Sequence, residues 1–192
     1  MKRHSAVLVF ILVASTLSPT ISWASGDWLD SPAKPWNKPG QSVPRAPEDP
    51  DRDEIPPICG SSGRAAATAE ERVVARAGWR LFASSQDGRG VTVIGGAGTV
   101  DGMCRPNLYQ DFIFVNGKFA GTISPSLMNA RSDGGAVKIT FPAAVKILVE
   151  FSRYTDQDPL CCPSRISEGT FEIRYEGGKP VVVLTGVKTR RT

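Results

Sequence analysis

The side chains of this chain that could do chemistry are four cysteines, a scatter of aspartates and a set of arginines. Cys59, Cys104, Cys161 and Cys162 show no Cys-x-x-Cys spacing, which argues against a tetrahedral zinc site. An even number in a chain read below as exported implies two disulfides. Neighbouring Cα atoms across a trans peptide lie about 3.8 Å apart, and disulfides usually span about 4.4–6.8 Å. The expectation is therefore that Cys59 and Cys104 each bond one member of the Cys161–Cys162 pair, with no bridge between those two.

His4 is the only histidine, and it lies in the segment read below as removed. That excludes Ser-His-Asp and Cys-His catalysis from the mature chain, along with metal sites that need imidazole. Three motif fragments fail on context. Asp49, Asp51 and Asp53 begin like a calcium loop, but Glu54 stands where glycine is needed and Gly60 where the closing glutamate is needed. Ser31-Pro32-Ala33-Lys34 matches Ser-x-x-Lys in a proline-studded stretch that offers no helix to align the pair. Gly96-Ala97-Gly98 follows a strand, but Asp101 replaces the third glycine of a dinucleotide loop and no helix start follows, so it reads as a turn. No cofactor motif remains.

The element that must organise the rest is Asp101–Pro125. Asn116-Gly117 separates two apolar runs, the signature of a two-residue β-hairpin. In that register Val115 faces Lys118, Phe114 faces Phe119 and Phe112 faces Gly121. Phe112, Phe114, Phe119 and Ile123 then share one side, and Ile113, Val115 and Ala120 the other. Both sides are apolar, which predicts a central hairpin covered on both faces.

Upstream, Thr68-Ala69-Glu70-Glu71 is a capping box opening a helix to Ala77, with Val73, Val74 and Ala77 as its stripe. Trp79–Ala83 reads as the first strand or a helix-to-strand connection, and Val91–Ile94 as a strand. Downstream, 124–136 is a polar loop with Leu127 and Met128 turned inward. Val137–Phe141 and Ile147–Tyr154 are strands, 155–168 is a cysteine-bearing loop, and 169–175 with 179–186 form a final hairpin. The fold class is α+β: a mostly antiparallel β-sheet with one N-terminal helix, stapled by two disulfides.

Residues 1–24 read as a cleavable signal peptide, with Lys2 and Arg3 before an apolar run from Ala6 to Ala14 and Ser22-Trp23-Ala24 at the cleavage point. The chain is then secreted or periplasmic, with no transmembrane span after signal removal. Two of the 23 cations are lost with it, leaving 21 against 19 anions, too even a balance to imply nucleic acid as a partner. Residues 25–58 carry eight prolines and few apolar side chains and read as a disordered linker, with Trp28 and Trp36 as candidate docking indoles. Residues 59–187 are the β-rich globular domain and 188–192 a frayed basic tail.

FIFVNGKFAGTISP at 112–125, Arg-Ser-Asp-Gly-Gly-Ala at 131–136, Arg153-Tyr154 ending a strand, and Asp158-Pro159-Leu160-Cys161-Cys162-Pro163-Ser164 resemble the LppP/LprE family of bacterial envelope lipoproteins. The resemblance covers roughly 78–176. It implies an exported cell-envelope domain and carries over no catalytic residue. Ser25 stands where a lipid-bearing cysteine would follow the signal, so the expectation is a member without that lipid anchor.

Loops on a rigid scaffold are where binding usually resides. The polar loops and strand ends place Arg105, Asn107, Arg131, Asp133, Arg153, Asp158 and Arg165 as candidate contacts for an unidentified envelope ligand or protein. The reading is a non-catalytic envelope domain. Two alternatives are a carboxylate-based glycan hydrolase drawing on Asp101, Asp111, Asp133, Asp156 or Asp158, and a protease inhibitor presenting the 155–168 loop.

Overall fold

The structure is a computed structural model that describes residues 27–48, 59, 63–87 and 89–192. Residues 1–24 and the Asp49–Asp53 run lie outside them. Among the described residues eight antiparallel strands form two four-stranded sheets rather than one. The first sheet runs in order β1 (Arg80–Gln86), β2 (Val91–Val100), β3 (Pro106–Val115) and β4 (Lys118–Thr122). The second runs β5 (Gly135–Ala143), β6 (Lys146–Arg153), β7 (Arg165–Glu176) and β8 (Lys179–Arg191). The physical reason for two layers is the doubly apolar β3–β4 hairpin, whose inner face needs a partner sheet.

That inner face places Val93, Tyr109, Ile113, Val115 and Ile123 against Ile147, Val149, Phe151, Phe171 and Val182 of the second sheet, all buried. On the outer face Ile94, Phe112 and Phe114 pack with Trp79, Leu81 and Val74. Val74 belongs to helix α1 (Ala69–Arg76), which opens with the expected capping box: the Thr68 side chain accepts from the Glu71 backbone and the Glu71 carboxylate accepts from the Thr68 backbone. Val73, placed on the buried stripe by its spacing, is instead exposed.

Asn116 and Gly117 both adopt positive φ, as the hairpin turn requires. The register beyond it differs from the simple one. Phe114 faces Phe119, but Ile113 faces Gly121 and Phe112 faces Thr122, because a bulge inserts one residue. One extra residue moves everything after it to the opposite face. Ile123 therefore joins the inner core instead of lying beside Phe112.

Gly95, Gly96 and Gly98 are not a turn; β2 runs straight through them. A Cβ at Gly96 would stand 2.9 Å from both the Phe112 ring and Trp79, and one at Gly95 would stand 2.7 Å from the Phe82 ring. The glycines leave room for aromatic rings laid across the strand.

The segment 27–48 is docked, not a disordered linker. Trp28 packs edge-on against Phe151 and Trp36. Trp36 Nε1 donates to the Thr122 carbonyl (3.1 Å) and Trp79 Nε1 to the Pro44 carbonyl (2.8 Å). Proline removes backbone donors and holds the chain extended, so little order is lost on docking. Likewise residues 188–191 are no frayed tail: β8 pairs with β7 as far as Arg191 opposite Arg165.

The disulfides join Cys59 to Cys104 and Cys161 to Cys162, against the expected crossed pairing. The Cys59 and Cys104 Cα atoms are 5.2 Å apart, within the ordinary span. With those two committed to each other, the adjacent pair closes on itself within a turn in which Cys162 N–H donates to the Pro159 carbonyl.

Candidate functional site

The polar loops meet at one end of the sandwich. Arg105 follows the tight Asp101–Arg105 turn, whose Asp101 carboxylate accepts from the Met103 and Arg105 backbones (both 2.9 Å) and pairs with the Arg105 guanidinium at 2.6 Å. Burial pushes the Asp101 carboxyl up, but these hydrogen bonds win and hold it below the usual range. Arg105 also donates to the Leu160 carbonyl (3.1 Å), tying this turn to the cysteine loop.

Arg131 and Asp133 lie in the π-helical turn Ala130–Gly134. The Arg131 guanidinium donates to the Asp158 carbonyl (2.9 Å) and lies 4.4 Å over the Tyr154 ring, a cation–π contact. Asn107 accepts from the Asn129 amide at 2.6 Å and so links β3 to the start of that turn. Asp158 closes its own loop: Oδ2 accepts from Thr155 N–H (2.7 Å), Ser164 N–H (3.0 Å) and Ser164 Oγ (2.8 Å). The backbone bond from Thr155, with the bonds from Ser164, takes this carboxyl down to about 2.

Arg153 and Arg165 lie on the second sheet, and a third cation that the loop-centred reading left out joins them. Arg153 is directly opposite Arg165, and Arg165 directly opposite Arg191, across β6, β7 and β8. Opposed residues of antiparallel strands point to the same face. The strands therefore set three guanidinium groups in one transverse row, its alternation continuing the inward face of Ser167, Phe171 and Ile173. Arg153, 4% exposed, is clamped by Asp30 of the docked segment at 2.9 and 2.8 Å. This pair of hydrogen bonds holds the Asp30 carboxyl below its ordinary value.

Beside the other two arginines opens a hollow of about 550 Å³, lined by Thr155, Gln157, Asp158, Ser164, Arg165 and Arg191. Among the described residues neither Arg165 nor Arg191 has a carboxylate at ion-pair distance. Arg165 Nε is buried without a hydrogen-bond partner. Sequence reasoning missed Asp30, Tyr154 and Arg191. Simple alternation from the inward Val182 and Leu184 would have chosen Arg190; the bulge opposite Thr170 and Phe171 shifts the parity and puts Arg191 on the inner face.

Among the aspartates considered for acid–base work, Asp101 and Asp158 are each engaged in closing a loop. Asp111 lies fully buried between the sheets, its Oδ2 without a hydrogen-bond partner among the described residues, and burial pushes it up to about 7. No group of three or more cysteine, aspartate, glutamate or histidine side chains that could hold a metal ion occurs among the described residues. No helix among them is long and apolar enough to cross a membrane.

No curated protein and no solved structure matches the chain. The family model described as LppP/LprE lipoprotein matches residues 90–176, which run from the start of β2 to the end of β7 and contain the hairpin, the cysteine loop and two of the three row arginines. Over that stretch the chain is similar to the LppP/LprE lipoprotein family.

Proposed function

We propose that this protein is a non-catalytic, exported domain of the bacterial cell envelope that binds a ligand or partner through the loop end built from Arg105, Arg131, Asp158, Arg165 and Arg191. The observation that carries the reading is the three-arginine row. Like charges placed directly opposite in a sheet repel, and such a row is retained at a stability cost that a binding role would account for. Similarity to the LppP/LprE lipoprotein family over residues 90–176 supports the envelope location, and the sequence features of residues 1–24 support export. The engagement of Asp101 and Asp158 in closing their own loops supports a binding role over a carboxylate-based hydrolytic one.

The test is capture from fractionated envelope material, with glycan, lipid and protein pools kept separate. Immobilised protein is compared with the double variant Arg165→Gln/Arg191→Gln. The expected result is enrichment from one pool that the double variant loses. Equal capture by both proteins would overturn the assignment of the loop end.

A further inference from the structure

We infer that the hollow beside Arg165 and Arg191 is a binding site for a phosphoryl group carried on a small polyol. This rests on the loop-end reading above and names its ligand chemistry. Three independent features converge on an anion. The first is the Arg165–Arg191 register pair, two guanidinium groups at the separation of directly opposed side chains. The row's carboxylate, Asp30, is already doubly bonded to Arg153; its field reaches Arg165 without forming an ion pair with it. The second is the buried, unpartnered Nε of Arg165, a donor whose desolvation no protein group offsets. The third is the rest of the lining.

Ser164 Oγ donates to Asp158, so its oxygen and that of Thr155 remain to accept from a polyol's hydroxyls, while the Gln157 amide can donate to a phosphate's ester oxygen. Guanidinium forks match phosphate oxygens two at a time, which a lysine pair would not do. Asp158 is the one carboxylate in the wall, and its Oδ2 is taken up by Thr155 and Ser164. It therefore shapes the loop, and two cations outweigh it. At about 550 Å³ the hollow holds far more than a bare ion, within the range of small-molecule sites. The geometry thus favours a headgroup-sized ligand over inorganic phosphate alone.

The purified protein is titrated with glycerol 3-phosphate, with inorganic phosphate and with glycerol, by calorimetry or amide chemical shifts. Sedimentation with phosphatidylglycerol vesicles, against phosphatidylcholine vesicles, forms the second arm. Expected is saturable binding of glycerol 3-phosphate, weaker binding of phosphate and none of glycerol, with shifts at Thr155, Ser164 and Arg165. Arg191→Gln, at an exposed position, should weaken binding fivefold or more. Arg174→Gln, on the same sheet beside Glu172, should leave it unchanged. Binding confined to phosphatidylglycerol vesicles and lost in Arg191→Gln supports the site and assigns the phosphate to a lipid headgroup; binding of the free ligand assigns it to a soluble polyol phosphate.

The proposal falls if neither arm shows saturable binding up to roughly 10 mM ligand, weaker than about −3 kcal/mol. It falls equally if Arg174→Gln loses as much as Arg191→Gln, since the binding would then be diffuse attraction. If the phosphate probes fail while Arg165→Gln/Arg191→Gln still loses envelope capture, the loop-end reading stands and only the ligand chemistry is wrong.

Discussion

Arg153 and Asp30, 123 residues apart, meet in a double hydrogen bond of 2.9 and 2.8 Å that pins the N-terminal segment to the second sheet. The guanidinium is nearly buried and the carboxylate about half exposed, so the arginine depends on this partner for compensation. Hydrogen bonds to charged groups contribute about 1.5–3 kcal/mol. Asp30→Ala is expected to lower stability by about 2 kcal/mol and to speed proteolytic cutting within residues 31–48. Thermal melts and limited digestion of both proteins test this; superimposable curves would mean the segment is held by its indoles and Asn37 without this pair.

Asn37 closes the seam between the two sheets. Its Nδ2 donates to the carbonyls of Thr122 in β4 (2.9 Å) and Val182 in β8 (3.1 Å), and its Oδ1 accepts from Thr122 N–H (2.9 Å). The amide lies where a side chain on Gly121 would be: a Cβ there would stand 2.2 Å from the Asn37 side chain, and φ is +137°. Asn37→Ala leaves these backbone groups unpaired, at about 1–3 kcal/mol for each one left buried. We expect a loss of about 2 kcal/mol and faster amide exchange at Thr122. Unchanged exchange there would remove Asn37 from the seam.

Buried Asp111 and the capping carboxylate Glu71 pull stability in opposite directions with pH. The hydrogen bond from Arg64, with those from Ala67 and Thr68, takes Glu71 down to about 2 from 4.5. Its contribution is complete above about 4.5 and is lost as pH falls through about 2. Asp111 rises from 3.8 to about 7. The unfolded chain releases this proton above about 4 while the folded chain keeps it to about 7, so stability declines across that window, by on the order of 4 kcal/mol. Chemical denaturation should show greater stability at pH 5 than at pH 8. Asp111→Asn should flatten the difference; a variant as pH-sensitive as the parent would place the effect elsewhere.

The two disulfides should differ in energetic weight. Cys59–Cys104 closes a loop of 45 residues, for which chain entropy gives about 4 kcal/mol. Cys161–Cys162 closes no loop beyond its own turn. Mass mapping without reduction should find these two bridges. Cys59→Ser/Cys104→Ser should lower the melting temperature strongly, and Cys161→Ser/Cys162→Ser only slightly. A bridge from Cys59 or Cys104 to the adjacent pair would restore the crossed pattern expected from the sequence.

Local chemistry fixed the parts that were legible in advance. Thr68 and Glu71 announce the helix start because both halves of the capping box lie within one turn. Asn116-Gly117 announces the hairpin because two positive φ angles are needed there. Arg105 and Arg131, named from the sequence as candidate contacts, tie their loops to the 155–164 loop through Leu160 and Asp158. The misread parts depended on partners distant in sequence. Gly95 and Gly96 look like a turn until the rings of Phe82 and Phe112 are laid across them. Residues 27–48 look unstructured until Trp28, Trp36 and Asn37 find Phe151, Thr122 and Val182.

By itself, then, the sequence determined the antiparallel character and the central hairpin. These follow from period-two patterning and turn residues, which act over a few positions. Only the tertiary structure decided that there are two sheets, which cysteines pair, and that Arg153, Arg165 and Arg191 form a row. Packing of the two apolar faces of the hairpin sets the first, the approach of Cys59 to the turn before β3 the second, and strand register the third, none of which local patterning specifies.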